Sequence, residues 1–367
     1  MIQLLASYFF LAVEICMIHS IANRKKRRIT YFFVLFLQFF VLAGFRGLEI
    51  HNDTLAYTSH FDNVSKSGHF WEIEKETFNP GYLVLEKFIH NNITDSILGF
   101  DVLTSFIICL CTFLLFYKRA KHMGIAIYLY FISGEYWSQV AVLREALAVL
   151  VGYLFMKEVA RGKYIYAVIS ILLAVALHSS SFILFFLLLL MLFPPSKKMR
   201  VIIVVATILV TYLIAPVMET VLNLLSFETI YFTEAVDKGF ASANGILNGT
   251  IGILTAAGVF LMIKSGHRYR IPKLYKEILF LYFIVSIVAL RLPIMSRYLM
   301  FFAPFIFIMV SNLAFVTHEN RYYALVVAFV LAGNIIVKQL LRPEWISIFP
   351  YHFYNDTQLS MLHLFKY

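Results

Sequence analysis

Charge is scarce in this sequence. Only 14% of its 367 residues are Asp, Glu, Lys or Arg, 61% are hydrophobic, and the mean hydropathy is +0.79. An ordinary soluble domain carries about 25% charged residues, so a water-soluble globule is excluded. Cysteine is nearly absent. Cys16, Cys109 and Cys111 all lie in apolar runs, and a spacing of two turns Cys109 and Cys111 to different helix faces, which excludes a disulfide framework or a thiolate metal site. There is no Gly-x-Gly-x-x-Gly, P-loop or Gly-x-Ser-x-Gly, so nucleotide-cradling loops and nucleophile elbows are excluded too. His51, His60 and His69 recur every nine residues with Asp53 and Asp62 between them, which is not the spacing of a helix-borne zinc site. Neither a metal nor another cofactor is expected. Internal repeats and low-complexity tracts are also missing.

What is abundant is the apolar run. Such runs fall near 2–22, 29–45, 97–117, 123–137, 140–157, 163–178, 179–193, 200–218, 246–263, 277–291, 296–316 and 322–341. A span needs about 20 residues to cross a ~30 Å hydrocarbon core. The sequence therefore predicts an all-α, polytopic integral membrane bundle of about 12 spans, within a range of about 10–14, forming one domain over residues 1–367. The runs over 123–157 and 163–193 are short enough to be hairpins that do not fully cross. The first run precedes its basic cluster, which predicts an anchor with its N-terminus outside, not a cleavable signal.

Lysine and arginine set the orientation. Loops 23–28, 118–122, 157–163, 194–200, 264–277 and 317–321 hold 20 of the 31 basic residues and only three acids, Glu158, Glu277 and Glu319. Basic loops are cytoplasmic, so both ends of the chain face out. The net charge of +10 is thus topological, and its dispersal over short loops gives no sign of nucleic-acid binding. Outside lie a long loop over 46–96, a second over 219–245 and an aromatic tail over 342–367. Asp53 reads as the N-cap of a short helix from Thr54 to about Val64. Asn79 and Pro80 read as the cap and first position of a second helix, whose Tyr82, Leu83, Leu85, Phe88 and Ile89 suit it to lie along the membrane surface. Within the first span Glu14 is the one acid expected to be buried.

The remaining charges gather at the expected outer ends of spans. "FRGLEIHNDTLAYTSHF" carries Arg46, Glu49, Asp53 and Tyr57; "EYWSQVAVLREAL" carries Glu135, Gln139, Arg144 and Glu145; "ALHSSSF" carries His178; and "LRLPIMSRYLMFF" carries Arg291, Arg297 and Tyr298. Arginine keeps its charge at any relevant pH and presents a fork that matches phosphate oxygens. A charge within a span is costly unless it faces a protein cavity. Four arginines on one side of a membrane point to an anionic ligand, a lipid pyrophosphate being the natural fit. Plainer roles compete: Arg46 snorkelling, an Arg144–Glu145 ion pair, interfacial anchoring of Arg291 and Arg297, a helix-end cap at His178. Asp53 and His178 are both candidates for a general base toward a sugar hydroxyl.

These four stretches resemble the EpsG-type family of bacterial polysaccharide polymerases, related to the Wzy O-antigen polymerases. The similarity lies in Arg46, Gly47, Asp53, Tyr57 and Phe61 after the second span, in Arg144 followed by small apolar residues, in His178 and Ser180, and in Arg297 with Tyr298; it covers about residues 30–310. Where the family reads Arg-Gln, this chain has Arg144-Glu145. The resemblance implies a helical, GT-C-like, metal-independent glycosyltransferase of the bacterial cytoplasmic membrane with its site facing outward. It would transfer a growing glycan from a polyprenyl pyrophosphate, undecaprenyl in most bacteria, to the non-reducing end of a new lipid-linked repeat unit, with inversion. Arg144 and Arg297 would clamp the pyrophosphate, Arg46 and Arg291 would support them, Asp53 or His178 would act as base, and Glu49, Tyr57, Gln139 and Tyr298 would contact sugar. The expected partners are the polyprenyl-pyrophosphate-linked oligosaccharide, membrane lipid, a chain-length regulator and a flippase. Two other classes compete: a flippase for the same lipid-linked sugar, and a membrane sugar O-acyltransferase using His178.

Overall fold

The apolar runs do become helices, but several are interrupted. The computed structural model describes residues 2–47, 50, 54, 57–61, 79–224, 238–266, 269–341 and 351–354. Helices dominate them, and the only β-type pairing among the described residues is an isolated bridge between Arg46 and Phe353. In chain order the elements are α1 (Ile2–His19), α2 (Arg24–Gly44, with a π-helical turn at Tyr31–Leu35), a helical segment at 57–61, α3 (Pro80–Asn92), α4 (Ile97–Arg119), α5 (Met123–Ile132), α6 (Glu135–Ala141), α7 (Leu143–Ala160), α8 (Tyr164–Leu177), a 3-10 turn (Ser179–Phe182) and α9 (Ile183–Leu192). They continue with α10 (Lys197–Leu224), α11 (Lys238–Ser265), α12 (Lys273–Ala289), a 3-10 stretch (Pro293–Phe301), α13 (Ala303–Leu313) and α14 (His318–Leu341).

This is a polytopic helical membrane protein. Large apolar side chains such as Phe9, Phe10, Ile165, Leu172 and Phe329 stay exposed, which suits lipid rather than water. Among the described residues five helices are long and apolar enough to cross, or seven if each bent pair counts as one span, so the expected count of twelve is not confirmed. Several of the runs are broken. At about 1.5 Å per residue, the ten-residue α5 reaches about 15 Å, half the hydrocarbon thickness. It ends at Gly134, whose φ of 81° places it in the left-handed region that glycine adopts without a Cβ penalty. At Val142 the chain turns by 114° between α6 and α7. At His178 it becomes extended, with φ −156° and ψ 130°. The 3-10 stretch and α13 meet at 57°.

Side chains meet the carbonyls released where helices end. Tyr8 donates to Ile132 O at the end of α5 (3.2 Å), Arg46 to Ala43 O at the end of α2 (2.6 Å), Ser181 to Ala174 O near the end of α8 (3.0 Å) and Lys273 to Met191 O in α9 (2.8 Å). Arg28 donates to both Tyr117 O and Ala120 O at the end of α4.

The chain divides into two compact units, Met1–Phe182 with Ile335–Tyr367, and Ile183–Asn334. In the first, Phe39 of α2 packs edge-on against Phe113, Phe131 and Tyr136 and stacks with Tyr130. Aromatic contacts of this kind add specific attraction where lipid offers no hydrophobic drive. In the second, Gly249 of α11 lies so close to α12 that a Cβ there would sit 2.7 Å from Ser286 O, the close approach that small residues permit between membrane helices. Arg200 of α10 reaches both carboxylate oxygens of buried Glu277 on α12, at 2.7 and 2.8 Å.

Two outer segments differ from expectation. α10 runs on to Leu224 and α11 starts at Lys238, so both ends of the loop expected over 219–245 are helical, and 225–237 lie outside the described residues. α3 starts as expected, with Asn79 as N-cap and Pro80 in its first turn. However, Tyr82, Leu83, Glu86 and Ile89 are buried while Val84 and Phe88 are exposed, so it packs into protein rather than lying free on a surface. Gly81 makes this possible, because a Cβ there would fall 2.6 Å from Ala176 O of α8. Burying Glu86, Asp101, Glu145 and Glu277 also departs from the expectation that Glu14 alone would be buried. Glu14 itself is half-buried and hydrogen-bonds Gln38, the lone amide of α2. Gly81→Val is expected to lever α3 off α8 at a cost of about 1–3 kcal/mol, read as a lowered thermal midpoint in detergent, while Val84→Leu on the exposed face leaves the midpoint unchanged.

Candidate functional site

The bend at Val142 places Arg144 and Glu145 in the first turn of α7. An acid there suits the positive end of the helix dipole, whereas a cation works against it, so Arg144 is not placed for helix stability. Its Nε donates to the hydroxyl of Tyr57 at 3.3 Å, and its guanidinium lies over the Tyr57 ring, 5.6 Å from the centroid. Tyr57 is buried in a cluster that also holds Phe61, Tyr82, Ile89, Phe100, Ile108 and the α7 residues Leu143, Ala146 and Leu147. Burial lifts the Tyr82 phenol well above its ordinary pKa, and the nearby Glu86 adds to the effect. Glu86 in turn meets His60 Nδ1 at 2.7 Å.

Glu145 points away from its neighbour. Ser180 Oγ donates to Glu145 Oε1 at 3.0 Å and lies 2.6 Å from His178 Nδ1. The backbone N–H of Ser180 also points at Nδ1, at 3.2 Å. These contacts ask for opposite tautomers. A charged Glu145 takes the serine hydrogen, so Nδ1–H must donate to Oγ and Nε2 is left basic. A neutral Glu145 lets Nδ1 accept, with the proton on Nε2. The break at His178 is what allows the link, because an extended residue followed by a 3-10 turn brings Ser180 back beside the ring. Stretches that are far apart in sequence, those of Tyr57, of Arg144-Glu145 and of His178-x-Ser180, are therefore in direct contact within the first unit.

Arg46 has a different environment. It ends α2 with 1% exposure and is held by Asp101 Oδ1 (3.2 Å), Ser105 Oγ (3.3 Å) and Ala43 O. It is a buried ion pair, not a snorkelling arginine. Beyond it the chain pairs with residues 351–354: Gly47 N–H donates to His352 O at 2.8 Å and Tyr354 N–H to Phe45 O at 2.9 Å, while the Tyr351 hydroxyl reaches Leu42 O. Gln139 is fully buried, accepting from Tyr130 (2.8 Å) and Thr112 (3.5 Å) and donating to Glu135 (3.3 Å). Glu135 is electrostatically coupled to Lys338 and Glu145. In the second unit Arg291 is exposed and lies over the Tyr212 ring at 4.6 Å, and Arg297 and Tyr298 are half-buried on the 3-10 stretch. Glu49 and Asp53, with His51 and His69, lie outside the described residues. Among the described residues no group of three or more His, Cys, Asp or Glu side chains is placed to hold a metal ion.

Sequence reasoning missed Asp101, Ser105 and the partners of Glu145. The signal was present: Asp101 is an isolated acid in the apolar run of α4, and such residues are functional or paired by default, with Ser105 four residues on and so on the same face. Asp101→Leu alone is expected to strand a buried guanidinium and cost about 3–5 kcal/mol, whereas Arg46→Met with Asp101→Leu restores most of it; thermal unfolding in detergent distinguishes the two.

The family model described as "EpsG family" matches residues 29–353. Neither the comparison with curated proteins nor that with solved structures gives a match.

Proposed function

The chain belongs to the EpsG family, and from that premise we propose that it polymerises lipid-linked oligosaccharide repeat units at the outer face of a bacterial cytoplasmic membrane. A polysaccharide polymerase-type role is what the family suggests in general; the reaction and its sidedness are our reading. The observation that carries it is the contact of Tyr57, Arg144 and the Glu145–Ser180–His178 chain at two helix breaks. Irregular backbone at membrane depth is tolerated where it is buried in protein or lines a cavity, and the N-terminal turn of α7 with Arg144 favours an anion.

In this mechanism Arg144 grips the donor pyrophosphate. Arg46, engaged by Asp101, fixes the root of the loop that carries Asp53. Asp53 or His178 takes the proton of the acceptor hydroxyl. That oxygen bonds to the anomeric carbon of the growing glycan as the bond to the pyrophosphate oxygen breaks. The polyprenyl pyrophosphate leaves with the bonding pair, its growing charge met by Arg144, and a single in-line displacement inverts the anomeric centre. Glu49 supplies a sugar contact, while Tyr57 and Gln139 act by holding Arg144 and α6. No metal takes part.

The test is elongation by purified protein given lipid-linked repeat units. Wild type yields a glycan ladder, and Arg144→Ala lowers the rate by about 100-fold, the scale for losing one group that stabilises transition-state charge. Full polymer length in that variant overturns the assignment. Movement of substrate across the bilayer without elongation would instead mark a flippase, and labelled acetate in the glycan an acyltransferase.

Elongation also distinguishes the two bases. Ser180→Ala leaves His178 without its link to Glu145, so it slows the reaction by about tenfold or more if His178 is the base. The rate is unchanged if Asp53 is.

A further inference from the structure

The start of α2 and the end of α4 form a strongly cationic corner that the polymerase reading does not use. Residues 19–28 and 117–122 hold eight lysines and arginines and no acid. Arg28 joins the two helices, donating to Tyr117 O and Ala120 O with its guanidinium 5.1 Å over the Tyr117 ring. Beside this joint lies a shallow, open hollow lined by Arg24, Lys25, Arg28 and Tyr117. Arg24 and Lys25 are exposed, and Arg28 and Tyr117 are half-buried.

We propose that this hollow binds the phosphodiester headgroup of an anionic membrane lipid, with Arg24 and Lys25 as the phosphate ligands and Arg28 and Tyr117 as a preformed wall. Three observations carry it. Arg24 and Arg28 are four residues apart and so share a helix face, which brings two guanidiniums to one hollow. The hollow opens at the N-terminus of a 21-residue helix capped by Asn23, whose dipole adds to the attraction for phosphate. Both helices are long and apolar enough to cross the membrane, so their common end stands at the depth where lipid headgroups lie. The crowding of charge has a visible effect nearby. Burial, and then the neighbouring Lys121, His19, Arg24 and Arg27, depress the pKa of the His122 imidazole.

A lipid suits the corner better than a soluble anion because both helices that form it are long and apolar enough to cross the membrane, so acyl chains below a headgroup held there would meet apolar surface. Basic residues beside any span attract anionic headgroups, so the decisive comparison is between this corner and another basic loop of the same chain.

Native mass spectrometry of the detergent-solubilised full chain tests this, with phosphatidylglycerol and phosphatidylcholine as competing probes. Wild type should retain phosphatidylglycerol at least about fivefold over phosphatidylcholine, with a raised thermal midpoint. Arg24→Ser with Lys25→Ser should abolish the preference with helix content intact, while Lys197→Ser with Lys198→Ser, in another basic loop, should not. Equal retention of both lipids, or an equal loss in both double variants, overturns the proposal. Displacement by millimolar inorganic phosphate would overturn the lipid as the source and leave a soluble-anion site. None of these readouts depends on polymerisation.

Discussion

A helix that ends within apolar surroundings leaves carbonyls that lipid cannot satisfy, and that constraint organises this protein. The chain meets it with side chains: Tyr8 on α5, Lys273 on α9 and Arg46 at the end of its own α2. Each of these groups fixes one helix end. Such a framework tolerates short and bent helices, and these in turn provide places where polar side chains can gather without each needing its own route to water.

The candidate site shows the benefit. Arg144 and Glu145 are adjacent in sequence yet serve different partners, because a helix turns successive residues by about 100°. One reaches Tyr57 and the other reaches Ser180. Glu145 controls how the hydrogens are distributed along the chain to His178.

Much of the architecture was legible in the residues. Hydropathy marked the helices, Asn79 and Pro80 marked the start of α3, and the aromatic abundance found its place in the packing around Phe39. The breaks were harder to read. Gly134 advertises its turn, and the apolar runs already part at 178, where the 3-10 turn begins. Val142 lies inside the run 140–157 with neither glycine nor proline to mark its bend. The site was legible to the extent that Arg144, Tyr57 and His178 stood out as polar groups at run ends. Asp101 did not stand out, because attention to charges at the ends of runs passed over one inside a run. Its pairing with Arg46 across 55 positions is a tertiary fact with no periodic signature.

The antiparallel pairing of residues 351–354 with the segment after α2 has a consequence for biosynthesis. The hydroxyl of Tyr351 closes on Leu42 from 309 positions further along, and the first compact unit includes everything from Ile335 onward. During translation the early helices must therefore sit in the bilayer with their polar junction unsealed while the whole intervening unit emerges from the ribosome. The stretch that closes it, 351–354, is made only after that unit.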